Sequence, residues 1–147
     1  MFSFYNKHNN DLYNNLVKLS RNLFFYNNLL LKDNFETRIM LMFIHFSIII
    51  QALKKRKEKL PQDIYDNFFL NVEYHLRELG FGDIAVNKKM KTLNKIFYDI
   101  LLKINLKDSK NDLINDKVIK LYLYNDSSIN EQIITKSIDY FDKFKSF

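Results

Sequence analysis

Apolar residues recur along this chain at spacings of three and four and almost never alternate, so the pattern predicts helices separated by short polar breaks. A first helix is predicted from Asn10 or Asp11, both good N-cap types, with Leu12, Leu16, Leu19 and Leu23 on its buried face and an end near Asn27 or Asn28. Asp33 or Asn34 can cap a second helix, which is apolar nearly all round across residues 39–50. That is the pattern of an element surrounded by others. Its basic end, residues 54–59 (KKRKEK), places positive charge near a helix C-terminus, where the helix dipole favours it.

Pro61 fits the first turn of a third helix, where its missing N–H has no intrahelical use, and Asp63 suits the positive end of that helix. Ile64, Phe68, Val72, Leu76 and Leu79 form its buried stripe, and Gly80 stops it. With Gly80 left-handed, a Schellman motif brings Leu76 and Phe81 into hydrophobic contact. Gly82 permits a tight reversal, and Asp83 is expected to cap a fourth helix by accepting from the backbone N–H of Ala85 or Val86. Two helices are thus hinged through residues 79–82. The fourth helix is the clearest amphipath, with Val86, Met90, Leu93, Phe97, Ile100 and Ile104 on one face and Lys88, Lys91 and Lys95 opposite. A polar stretch at 107–111 separates it from a fifth helix around residues 113–124. Residues 125–128 break the pattern, Ser128 can cap, and a sixth helix follows over about residues 129–145, with Ile134, Ile138 and Phe141 inward. The expected architecture is an all-α, single-domain bundle of about six helices around a central apolar one, spanning residues 1–147.

Composition sharpens this picture. The 147 residues make about one domain's worth of chain, and two glycines, one proline and 47% hydrophobic residues fit neither a disordered chain nor a turn-rich β protein. The absence of cysteine removes disulfides, thiolate metal sites and cysteine nucleophiles. The net charge of +6 comes mostly from Lys, in a chain also rich in Asn, Ile, Phe and Tyr. Such a bias is typical of AT-rich coding sequence, so the overall pI says less than the distribution of charge. Residues 54–59 carry a net +4, residues 60–83 a net −4 and residues 84–107 a net +5. The first ten residues contain no apolar run of the kind a secretory signal needs. The most apolar stretch, residues 39–53, would span about 22 Å as a helix, short of a hydrocarbon core of about 30 Å, so it is expected to cross a protein interior.

Catalytic chemistry finds no foothold in the sequence. His8, His45 and His75 lie in separate segments without metal-ligand spacing, and His45, among apolar neighbours, is expected to be a hydrogen-bonded core histidine. No phosphate-cradling glycine loop and no nucleophile motif is present, so neither an enzyme nor a cofactor is expected. The strongest candidate surface is Lys88, Lys89, Lys91 and Lys95. Clustered ammoniums on a helix can meet RNA phosphates or acidic lipid headgroups, and equally suit a solvated face.

The run Leu76, Arg77, Glu78, Leu79, Gly80, Phe81, Gly82, Asp83, Ile84, Ala85, Val86, followed by Lys88 and Lys89, resembles the signature of the ubiquinol-cytochrome c chaperone family. Similarity extends to Leu12, Tyr13 and Asn14 with Phe25 and Tyr26, to Phe35, Glu36, Thr37 and Arg38, to the spacing to His45, and to Phe97 with Tyr98. It covers about residues 10–104 and is weaker beyond. Asn87 stands where members often carry Gly or Pro. The resemblance implies a non-enzymatic assembly factor for respiratory complex III that binds newly made cytochrome b and helps it mature. A small helper protein and the ribosome are further implied partners, with peripheral membrane contact and no DNA. Without the N-terminal targeting extension of mitochondrial relatives, the chain is similar to a bacterial member working on the cytoplasmic side of the inner membrane.

On that basis Arg77, Glu78 and Asp83 form the polar rim of a client-holding surface and Phe81 its apolar contact, joined by Arg38 and by Lys88, Lys89, Lys91 and Lys95. Leu76, Gly80, Gly82 and Val86 build the turn beneath it. Arg38 is also placed to pair with an acidic residue of the third helix. The alternative function is an RNA- or ribosome-binding helical module using the basic face at 88–95. A third, an enzyme, requires a deep pocket around His45 or His75.

Overall fold

The structure, a computed structural model, describes residues 2–104, 116–125 and 128–145, with side chains from residue 11 to residue 144 within those ranges. Every element in them is helical: α1 (Phe2–Ser20), α2 (Leu23–Asn27), α3 (Phe35–Lys55), α4 (Gln62–Glu78), α5 (Asp83–Lys103), α6 (Asp116–Val118, continuing as a π-helical turn over Ile119–Leu123) and α7 (Glu131–Lys145).

The expected central helix is α3. The Asn34 side chain caps it, accepting from the Thr37 N–H at 2.9 Å, which satisfies one of its orphan donors and stabilises the helix by about 1 kcal/mol. It is buried from Ile39 to Ile48 without interruption. At 21 residues and about 31 Å, α3 outruns the apolar stretch that specified it, and its length now matches a bilayer. The burial of every residue from Ile39 to Ile48 makes it a core helix. Past Arg56 the chain turns through left-handed Lys57, whose successor Glu58 donates to the Leu53 carbonyl at 2.8 Å.

Helical geometry divides the surroundings of α3 into two aromatic clusters. Phe43 and Phe46, three residues apart, share a face and meet Phe68 and Phe97 of α4 and α5, with ring centroids 4.4 Å apart for Phe46 and Phe68 and 5.3 Å for Phe43 and Phe97. His45 points about 200° round the helix from Phe43, toward α2 and α7, where Phe25, Tyr140, Phe141 and Phe144 surround it. Its Nδ1 lies 2.6 Å from the Leu41 carbonyl and its Nε2 2.7 Å from the Tyr140 hydroxyl. A neutral ring satisfies both, with Nδ1–H donating to the carbonyl and Nε2 accepting from Tyr140. His45 is therefore the hydrogen-bonded core histidine that the sequence predicts, and it fastens α7 to the centre of the bundle.

Several boundaries differ from expectation. The first helix starts earlier, at Phe2, and breaks at Arg21 and Asn22, where the Asn22 side chain accepts from the Phe24 N–H and begins α2. That break turns Leu23 into solvent and Phe25 inward. Leu79 is exposed because the α4 stripe ends at Leu76, and Leu79 caps the helix before the chain reverses. Asn130, not Ser128, caps α7, its side chain accepting from the Gln132 N–H at 2.9 Å. The polar stretch at 107–111 and the start of the fifth helix at Leu113 lie outside the described residues, and the rest of that helix is the α6 segment with its π turn. The π turn carries Ile119 and Leu123 into the core, while Tyr122 donates to the Asp99 carboxylate of α5.

Burial pushes the His45 imidazole from its ordinary 6.5 down to about 4, against a smaller opposing effect of its bond to Leu41. The unfolded chain takes up this proton near pH 6.5 and the folded chain only near pH 4. The resulting stability is therefore fully present above 6.5 and is lost as pH falls between those values, by about 3 kcal/mol in all. An NMR titration of the His45 ring checks this, and a midpoint near 6.5 contradicts it.

Candidate functional site

The elbow between α4 and α5 follows from its two glycines. Gly80 sits at φ +99°, left-handed backbone that side-chain-bearing residues resist. Around it the Phe81 N–H donates to the Leu76 carbonyl (3.3 Å) and the Gly80 N–H to that of Arg77 (3.0 Å), the paired bonds of a Schellman motif. Gly82, at φ −78° and ψ 172°, is the N-cap of α5 in ordinary extended backbone. This corrects the expectation for Asp83, which is the first helical residue of α5 and makes no cap. Its carboxylate instead pairs with the Arg77 guanidinium across the elbow, and Glu73 stands 3.8 Å from the same guanidinium. Held between Asp83 and Glu73, Arg77 fastens the last turn of α4 to the first turn of α5. Being exposed and screened by solvent, the bond acts chiefly to fix the angle between the two helices.

Every residue from 77 to 84 is exposed, while Val86 beneath them is fully buried and anchors the joint. Behind the elbow, α3, α4 and α5 enclose a groove of about 590 Å³. Its floor is Ile39, Met40 and Leu76, and its walls are Phe35, Leu79, Phe81, Leu93 and Ile96. Glu36 lies on one rim and Lys88 and Lys89 on the other, with the Lys89 ammonium 4.6 Å from the centre of the Phe81 ring, a cation–π distance. A second cavity of about 580 Å³ shares Glu36, Met40 and Ile96 with the first and continues toward Leu121, Tyr122 and Ile129. The two adjoin as a trough along the N-terminal half of α3, apolar beside the elbow and more polar beyond, where Lys32, Asn34 and Thr37 line it.

Of the residues expected at the site, Leu76, Phe81, Lys88 and Lys89 line the groove together. Arg77 and Asp83 face one another outside it, and Glu78 is exposed on the last turn of α4. Lys91 and Lys95 are on the outer face of α5. Arg38 lies apart. Its guanidinium pairs with Asp33 at 2.6 Å, where the expectation placed an acidic residue of α4, because Asp33, two residues before α3 and five before Arg38, lies within its reach. Arg38 borders a cleft of only about 10 Å³ next to His75, whose ring lies 4.9 Å from Phe35. His45 is sealed from solvent and His75 borders only that small cleft, and no cluster of metal-binding side chains occurs among the described residues.

Of the groove wall, only Phe81 stands out in the sequence as a contact. Leu79 and Leu93 read as core, and Ile96 falls outside the buried stripe of α5. The sequence offers only a partial sign: Ile96 lies about 40° beyond the edge of that stripe and widens the apolar arc, without telling which of these residues packs and which stays open.

The matched family model settles the affiliation: that of the ubiquinol-cytochrome C chaperone covers residues 27–141. The chain belongs to this family. The match begins later and runs further into the tail than the resemblance in the sequence does, leaving Leu12, Tyr13, Asn14, Phe25 and Tyr26 outside it and taking in α6 and most of α7. No curated protein and no solved structure matches the chain. Within the chaperone domain the elbow and the groove fall inside the matched span.

The two glycines predict opposite responses. Gly80→Ala forces a side chain into left-handed backbone and costs about 1–2 kcal/mol, although the added methyl meets open space. Gly82→Ser adds the missing cap to α5 and stabilises it by about 0.5 kcal/mol. Urea unfolding of the two variants measures both.

Proposed function

We propose that this protein is an assembly chaperone of respiratory complex III, binding newly synthesised cytochrome b in the groove behind the α4–α5 elbow and promoting its maturation. It acts at the cytoplasmic side of a bacterial inner membrane, peripherally, with a small helper protein and the ribosome as further partners. Membership in the chaperone family, joined to an accessible apolar groove, is the observation that carries this reading. An immature membrane subunit presents apolar helices with basic flanks. The trough offers such a helix an apolar floor, and Glu36, on the rim opposite Lys88 and Lys89, favours a basic flank on its own side. Holding of this kind needs no reacting group, in keeping with a groove whose lining is mainly aliphatic and aromatic.

Deletion of the gene lowers assembled complex III and leaves other respiratory complexes intact. Crosslinking of the tagged protein in its native membrane recovers cytochrome b, and Leu79→Asp with Phe81→Asp, both at exposed positions, cuts that recovery at least tenfold with the helical circular dichroism unchanged. Normal complex III levels in the deletion overturn the reading. A second reading, an RNA- or ribosome-binding module, rests on the exposure of Lys88, Lys91 and Lys95 and requires an affinity for RNA that falls steeply with salt.

A further inference from the structure

The outer face of α5 carries a row of residues that the core does not explain and that the groove touches only at Lys88. Ile84, Lys88, Lys91, Lys95, Tyr98 and Leu102 are spaced four, three, four, three and four, so they fall within an arc of about 80° along about 27 Å of helix. All six are exposed. Ile84 is 78% exposed, Tyr98 52% and Leu102 83%, placing aliphatic or aromatic side chains at both ends of a run of three ammoniums.

Two features make this row strongly positive. Both carboxylates of α5 are engaged elsewhere: Asp83 pairs with Arg77, and Asp99 is held by Lys103 at 3.0 Å and by the Tyr122 hydroxyl, which keep its carboxyl below the usual range. In addition, the Gln51 side chain donates to the Leu101 carbonyl at 2.9 Å, setting the end of α3 beside the last turn of α5. The basic run at 54–59, net +4, therefore leaves the bundle at the same end as Tyr98 and Leu102.

We infer that the outer row of α5 is a docking surface for an anionic lipid bilayer, with Lys88, Lys91 and Lys95 on the headgroups and Ile84, Tyr98 and Leu102 entering the interface. The lysines alone would suit any polyanion. The apolar ends choose between them, because a phosphodiester backbone offers exposed Ile and Leu nothing, whereas the headgroup boundary removes them from water while the lysine stems extend toward phosphate. This surface is separate from the apolar interior of the client groove, so it stands whether or not the groove holds cytochrome b.

The test is cosedimentation of the full chain with vesicles of phosphatidylcholine alone and of phosphatidylcholine with phosphatidylglycerol, beside binding to a single-stranded RNA oligonucleotide at the same salt. Binding is expected only to the anionic vesicles and to weaken as salt rises. K88Q/K91Q/K95Q weakens it roughly a hundredfold, at about tenfold or less per lysine. I84S/L102S weakens it at least tenfold, and a control substitution on α7, K136Q, leaves it unchanged. Single K91E keeps the test decisive if the triple variant misfolds. Absence of binding to anionic vesicles, or binding that survives both multiple variants, overturns the inference. Tighter binding to RNA than to vesicles, indifferent to I84S/L102S, overturns it in favour of a nucleic-acid surface.

Discussion

The bundle depends on the burial of α3 from Ile39 to Ile48. An apolar stretch that long, turned to water on so little of its surface, leaves its neighbours little choice: each must lay an apolar stripe against it, and each such side chain removed from water contributes about 1.5–3 kcal/mol. Leu16 of α1, Phe25 of α2, Phe68 of α4, Phe97 of α5 and Phe141 of α7 are all inaccessible to solvent for this reason. The one strongly polar ring on the buried stretch, His45, is tolerated because both of its nitrogens find partners. Its bond to Tyr140 ties residues far apart in sequence and gives the last helix a fixed seat.

The same constraint produces the groove. A central helix wrapped by straight neighbours cannot be sealed where two of them meet at an elbow, because the turn at 79–82 lifts the chain away from the core before α5 returns to it. Apolar residues next to that opening, Leu79, Phe81, Leu93 and Ile96, are left partly uncovered. An accessible apolar trough is therefore a consequence of how α4 and α5 are joined.

Much of the fold is legible in the residues. The all-round apolarity of 39–50 marks the core helix, and the stripe of α5 and the Gly80 stop are equally plain, since each is a local pattern read against one period. The failures are also local in origin. Nothing in the spacing of Leu19 and Leu23 reveals that Asn22 will prefer capping a new helix to continuing the old one. Nor does sequence show whether a carboxylate such as Asp83 caps its own helix or reaches Arg77 six residues back, for both bonds are chemically good and only the turn geometry chooses. At the site, the elbow could be placed from its glycines, but the groove wall could not: whether Leu93 and Ile96 are buried or left at a rim depends on how closely α3 and α4 approach, which is a tertiary property.

The order of the elements along the chain also matters. Translation completes α3 while residues 62–145 are still unmade, so at that moment only α1 and α2 are available to lie against it. At roughly 5–20 residues per second, about 5–20 s pass before α7 brings Tyr140 to His45. For that interval a bilayer-length apolar helix stands only half clothed, covered by α1 and α2 alone until the later helices arrive.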